Sequence, residues 1–197
     1  MSEFFLELFS EEVPAGLQRN SRYALLESFQ KLFEEKQILF KKSASFSTPN
    51  RLIILFEGLS KEIIQKAEEI KGPNVNAPEK AIEGFLRSNQ IDKKNLLKKK
   101  IEKGEFYFFK KPLKKINTIN LLEEQTPLIL DKLQWKKSMK WGIYSLNWAR
   151  PLKSILAVYG GKSLEFKFHH LTSSNTTFTD KEFEDRKKIF KDFKSYK

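Results

Sequence analysis

Short apolar runs in this chain alternate with stretches in which apolar residues recur every three or four positions, and the two patterns predict strands and helices respectively. Phe4–Phe9 is short and apolar and leads into Ser10-Glu11-Glu12-Val13-Pro14, which reads as a buried strand, a polar turn and a helix opening near Pro14. From Ala15 to Lys36, Leu17, Tyr23, Leu25, Leu26, Phe29, Leu32 and Phe33 keep the helical period. Ile38–Phe46 and Arg51–Gly58 predict a hairpin about Thr48-Pro49-Asn50, where the proline interrupts any continuous ladder. Glu62–Lys71 fits either period. Lys71 to Pro78 is a breaker-rich loop, and Pro78 opens a helix over Glu79–Asn89 whose stripe is Ala81, Ile82, Phe85 and Leu86.

Lys98–Glu102 and Glu105–Lys110 predict a second hairpin around Lys103-Gly104, the alternative being a flexible basic loop. Leu121–Leu133 is helical by its Leu and Ile spacing, with Pro127 either kinking it or marking an N-terminal turn. Ser154–Tyr159 and Ser163–His169 flank Gly160-Gly161 as a third hairpin. From Asp180 a charged helical pattern places Phe183, Ile189, Phe190 and Phe193 on one face and runs to Lys197 without a cap, as in a fragment of a longer protein. Together these elements predict an α+β fold of mixed or antiparallel sheet, hairpins and packed helices. The expected division is an N-terminal segment 1–70, a segment 71–178 and the start of a charged helix at 179–197.

Composition narrows the chemistry. With 40% hydrophobic residues, 18 Phe and 3 Trp over 197 positions, there is ample material for a core. The absence of Cys excludes disulfides, thiolate metal sites and a Cys nucleophile. The only two His, His169 and His170, are too few for a multi-histidine metal cage. No run approaches the roughly 20 apolar residues of a membrane span, and Glu3, Glu7, Glu11 and Glu12 stand where a signal peptide needs a basic start, so a cytoplasmic location is expected. A net charge of +12 favours a polyanionic partner. However, the 37 basic residues are 31 Lys and only 6 Arg, and an AT-rich genome would impose the same excess without a function.

Catalytic patterns are sparse. There is no phosphate-cradling Gly loop, no Gly-x-Ser-x-Gly elbow and no His-Glu-x-x-His. Glu11 and Glu12 would point in different directions, and His169-His170 at a strand end would present opposite faces, one packed and one solvated. Asn175-Thr176-Thr177 matches a glycosylation sequon that has no consequence without a secretory signal. Trp135, Trp141 and Trp148, interleaved with Lys136, Lys137, Lys140 and Arg150, suit either core packing or a stacking surface for nucleic acid.

Several ordered phrases resemble the N-terminal part of the beta subunit of bacterial heterotetrameric glycyl-tRNA synthetases. They are Phe5-Leu6-Glu7-Leu8-Phe9-Ser10-Glu11-Glu12-Val13-Pro14, Thr48-Pro49-Asn50-Arg51-Leu52, Lys71-Gly72-Pro73, Ala77-Pro78-Glu79-Lys80-Ala81 and Glu83-Gly84-Phe85-Leu86-Arg87. Ile129-Leu130-Asp131-Lys132-Leu133, Lys137-Ser138-Met139-Lys140-Trp141-Gly142 and Arg150-Pro151 continue the series. Asn50 and Lys140 stand where the family usually has Arg, and Phe178-Thr179-Asp180-Lys181 replaces a Gly-His-Arg-Phe phrase.

The resemblance implies a non-catalytic subunit that binds tRNA(Gly) and helps build an alpha2beta2 assembly. It places ATP, Mg and glycine activation on the alpha subunit, with no cofactor, metal or catalytic residue on this chain. The basic residues within matching phrases become the candidate tRNA contacts: Arg51, Lys71, Lys80, Arg87, Lys132, Lys137, Lys140 and Arg150. A free-standing basic RNA-binding or scaffold protein is the alternative.

Overall fold

The computed structural model describes residues 2–64, 69–101, 104–110, 115–179 and 187–197. Contacts divide the chain into one unit formed by Met1–Ile63 with Ile116–Lys197, and a second formed by Ile64–Lys115. The second is thus an insertion into the first, a different partition from three consecutive segments at 1–70, 71–178 and 179–197.

In the first unit, β1 (Ser2–Ser10) leads through helix α1 (Ala15–Glu35) to β2 (Lys42–Thr48) and β3 (Arg51–Leu59). The antiparallel sheet runs in the order Lys162–Ser163, Leu152–Tyr159, β1, β3, β2. β1 therefore has a hydrogen-bonded neighbour on each edge, with Leu6 opposite both Ile54 and Ala157. A strand covered on both faces is expected to be largely apolar, and Phe4 to Ser10 are all buried, Glu7 and Ser10 being the polar members. Side chains alternate across it. Phe4, Leu6 and Leu8 face Leu25, Phe29 and Phe33 of α1 and Leu121, Leu122 and Leu130 of the Thr118–Asp131 helix. On the other face Phe5 sits with Ile53, Leu55, Leu156 and Val158 beneath Phe190, Phe193 and Tyr196.

The first two expected hairpins form, and the third forms only at its turn, since Leu152–Tyr159 pairs with Lys162–Ser163 and Lys167–Phe168 pairs instead with Leu171–Thr172. Pro49-Asn50 is the turn between β2 and β3, although β2 starts at Lys42 because Ile38 is buried in the core ahead of it. Gly160 and Gly161 both take positive φ, 56° and 81°, as the two-residue turn between Tyr159 and Lys162 requires. The Thr118–Asp131 helix begins earlier than Leu121 because the Asn117 side chain accepts from the Ile119 N–H at 2.9 Å, and Pro127 lies in its interior.

One expectation fails at the chain's end and one at the middle. Lys187–Ile189 pairs as a strand with Thr176–Phe178, and only Phe193–Tyr196 is helical, where a continuous helix was expected. Asp180 to Arg186, which include Phe183, lie outside the described residues. Lys71 to Pro78 is not all loop: Glu69–Asn74 is a strand through Gly72 and Pro73, irregular between Lys71 and Asn74 where the proline can be tolerated. Glu62–Lys71, open to both periods, holds strands at Glu62–Ile64 and from Glu69.

The second unit is a three-stranded antiparallel sheet, Glu69–Asn74, Gly104–Lys110 and Leu96–Ile101 with Gly104–Lys110 central, and helix α2 (Glu79–Asn89). Gly72 marks the helix-covered face: a Cβ there would come within 3.0 Å of Cε1 of Phe85 on α2 and 3.1 Å of the Tyr107 carbonyl. Phe109 and Ile82 are buried. Among the described residues no helix is long and apolar enough to cross a membrane.

The first unit's core centres on Phe56, whose ring lies 4.9 Å from Phe33 and 5.2 Å from Phe40, both edge-on, and 6.4 Å from Phe4 and Phe29. Phe56→Ala is expected to cost about 3–5 kcal/mol, read as a lowered urea midpoint with an unchanged m-value.

Candidate nucleic-acid interface

Two of the family-like phrases, Phe5–Pro14 and Thr48–Leu52, meet at one buried carboxylate. Glu7 is fully buried on β1, on the same face as Phe5, flanked in register by Ile53 and Leu156. Arg51 of β3 donates through Nε to Glu7 Oε2 at 3.0 Å, and the Thr177 hydroxyl and the Tyr196 phenol also donate to the carboxylate. The Arg51 guanidinium also donates to the Phe178 carbonyl and lies 4.6 Å over the Phe9 ring. Burial holds the Glu7 carboxyl above its ordinary value of 4.5, against the downward pull of Thr177, Tyr196 and Arg51. Burial and the nearby Glu7 raise the Tyr196 phenol, which keeps it a donor. Arg51 is therefore committed inside the protein.

The remaining acid–base candidates are also engaged. Glu11 pairs with Lys153 at 2.6 Å at the rim of a cleft of about 430 Å³ lined by Ser10, Glu11, Glu12, Asn50, Arg150 and Lys153. Arg150, half-buried, donates to the Ala149 carbonyl at 2.9 Å. His169 and His170 form the turn after Lys167–Phe168 and do not alternate along a strand. His169 Nε2 meets Asp131 Oδ1 at 2.8 Å, and His170 stacks on Tyr144 at 3.6 Å. Burial, followed by the neighbouring His169, lowers the His170 pKa.

The tryptophan segment resolves mainly into packing. Trp148 is buried and meets Trp135 edge-on at 4.9 Å, and Trp141 Nε1 donates to the Trp148 carbonyl at 3.0 Å. Lys132, Lys136, Lys137 and Lys140 are exposed, Lys140 on a two-residue ladder opposite Asn147.

The second unit concentrates cations. Its 52 residues carry 14 Lys and Arg against 7 Asp and Glu, so +7 of the chain's +12 falls on about a quarter of its length. Lys80 and Arg87 are exposed on α2. On the sheet face turned away from α2, Lys71 lies 3.9 Å over the Phe106 ring and Lys99 lies 5.5 Å from the Phe108 ring. Lys99 also reaches across the central strand to Glu69 at 2.5 Å. The register puts Leu97 opposite Phe108, Lys99 opposite Phe106 and Lys110 opposite Glu69, so these side chains share one face. Leu97 is 45% exposed, and Phe106 and Phe108 are half-buried. Of the eight sequence candidates, only Lys71 lies here. Lys99, Lys110, Phe106 and Phe108 were missed as a group, because they lie within the continuous runs Lys98–Lys100 and Phe106–Lys110 and only the strand register selects the members of this face.

The family model described as glycyl-tRNA synthetase beta subunit matches residues 4–197. The chain is similar to the glycine–tRNA ligase beta subunits of Rickettsia peacockii (strain Rustic), 40% identical over 197 residues, and Rickettsia prowazekii (strain Madrid E), 39% over 197. That of Rickettsia felis is 40% identical over 199. Each match covers 100% of this chain and 30% of the relative, so the chain spans about 30% of the length of the curated relatives it matches.

With its folded pKa raised, Glu7 keeps its proton at pH values where the unfolded chain has lost it. Its contribution to stability is therefore present below about 4.5 and is lost as pH rises through the folded value. Urea midpoints measured in pH steps upward from 4.5 should fall for the wild type relative to Glu7→Gln, which lacks this titration. At neutral pH Arg51→Met, which strips the buried carboxylate of its cation, should cost about 3–5 kcal/mol.

Proposed function

The chain belongs to the glycyl-tRNA synthetase beta subunit family, and from that premise we propose that it is a tRNA-binding and assembly region of a glycine–tRNA ligase. In this reading it works in the cytoplasm on tRNA(Gly), within an alpha2beta2 complex whose alpha subunit binds ATP and Mg and forms the adenylate. This chain supplies no catalytic residue. The observation that carries the reading is the concentration of positive charge on the second unit, where most Lys side chains remain in solvent. Phosphates of a folded RNA attract such a surface without reading sequence, and binding releases counterions.

Among the eight candidates, Lys71, Lys80, Arg87, Lys132, Lys137 and Lys140 are exposed and are assigned to tRNA contact. Arg51 and Arg150 are assigned to holding the first unit together, since their guanidiniums already have partners inside it. The commitment of Glu7, Glu11 and His169 to Arg51, Lys153 and Asp131 supports a binding role over acid–base chemistry.

The purified chain should bind tRNA(Gly) with an affinity that falls steeply with salt. Lys80→Ala and Arg87→Ala should each flatten the log–log salt slope by about 1. ATP–pyrophosphate exchange with glycine should require added alpha subunit. Exchange by the chain alone, or salt-independent binding, would overturn the reading.

A further inference from the structure

The cations of the second unit's sheet are interleaved with aromatic rings on one face, and this arrangement says more than that RNA is bound. In the sheet of Glu69–Asn74, Gly104–Lys110 and Leu96–Ile101, α2 covers one face, while on the other Leu97 is 45% exposed and Phe106 and Phe108 are half-buried. On that open face stand Phe106 and Phe108 from the central strand, Leu97 and Lys99 from one edge, and Lys71 from the other, with Lys110 at the end. An apolar patch on a small domain is costly to expose, and here Lys71 and Lys99 partly shield it by lying over the two rings. A lysine over a ring is a weak and mobile cover. It can swing aside to meet a phosphate while the ring beneath accepts a base.

We propose that this face is a stacking platform for unpaired RNA nucleotides, with Phe106 and Phe108 each receiving a base and Lys71, Lys99 and Lys110 meeting the phosphates. The proposal deepens the tRNA-binding reading above and rests on it. Charge complementarity names the occupant: the unit's net charge of +7 calls for a polyanion, and the rings call for one with flat apolar faces. Spacing then selects single strands over duplex. Residues two apart on an antiparallel strand are about 6.8 Å apart, twice the 3.4 Å step of stacked bases, so two bases seated on these rings are unstacked from each other. In a duplex both faces of each internal base are already stacked on their neighbours, whereas an unpaired strand offers free base faces to the rings. Because every base has a π-face, the platform is tolerant of sequence.

Glu69 supplies an internal check. Its carboxylate occupies Lys99 across the central strand at 2.5 Å, directly over the face in question. An RNA phosphate arriving there competes with it, so the bridge acts as a built-in rival of the ligand.

The test is fluorescence anisotropy of the whole 197-residue chain with a labelled mixed-sequence single-stranded 12-mer RNA, the same 12-mer as a duplex, and tRNA. The single strand should bind more tightly than the duplex. Phe106→Leu with Phe108→Leu keeps the face apolar, and should weaken single-strand binding about tenfold or more with little change in salt slope. Lys71→Ala with Lys99→Ala should flatten that slope by about 1.4. Glu69→Gln should tighten binding severalfold, the opposite of what loss of a merely structural bridge would do. The surface variants at Lys71, Lys99 and Glu69 keep the test decisive even if the leucine pair unfolds. Duplex binding equal to single-strand binding, leucine variants that bind like wild type, or no gain with Glu69→Gln would overturn the platform while leaving tRNA binding intact. Failure to bind tRNA as well would remove the reading on which it rests.

Discussion

A carboxylate on the middle strand of the main sheet sets the terms for the first unit. Glu7 has Ile53 and Leu156 beside it in register and no exposed surface, so its charge or its proton has to be satisfied by the protein. Arg51 comes from the adjacent strand, but Thr177 and Tyr196 come from 170 and 189 residues away in the chain. The same segment that brings them also brings Phe190, Phe193 and Tyr196 over Phe5, Leu55 and Val158. Polar satisfaction and apolar burial on that face are therefore one event. Replacing the group by an isostere and removing its partner are different perturbations for this reason, since only the second leaves a desolvated group unmatched.

This constraint also explains what could and could not be read from residue order. β1, α1 and the β2–β3 turn are local: a continuous apolar run, a period of three to four and a proline between two apolar stretches are each sufficient. Glu79–Asn89 is likewise bounded by Pro78 and by the left-handed Gln90. The failures are non-local. Lys187–Ile189 carries charges at helical spacing, yet it becomes a strand because Thr176–Phe178 offers an edge to pair with. Gly72 and Pro73 look like a loop by composition, but the strand continues because Gly72 lets the Phe85 ring approach the sheet. Arg51 was a candidate RNA contact as a basic residue within a family-like phrase, but its partner Glu7 sits 44 residues earlier and only the sheet brings the two together.

The candidate interface was legible only in part, for a related reason. Helix-surface residues such as Lys80 and Arg87 declare themselves by period, and both are exposed as expected. The open sheet face does not, because its members come from three strands whose register only pairing determines. Lys98-Lys99-Lys100 reads as one cluster, yet the register puts only Lys99 with Phe106 and Phe108, and sends its neighbours to the other side.

The distribution of lysine bears on whether the positive charge has a function. Base composition acts on every codon, so drift alone would spread the 31 Lys by length and place about 8 of them on the second unit. That unit has 13, while the first, with 145 residues, carries only +5 of the net charge. The two units also use their cations differently. In the first, Arg51, Arg150 and Lys153 face carboxylates or carbonyls of the same unit, whereas in the second Lys71 and Lys99 lie over aromatic rings, Lys99 also pairing with Glu69. An AT-rich base composition would account for the abundance of lysine over arginine, but the partition between the units does not follow from it.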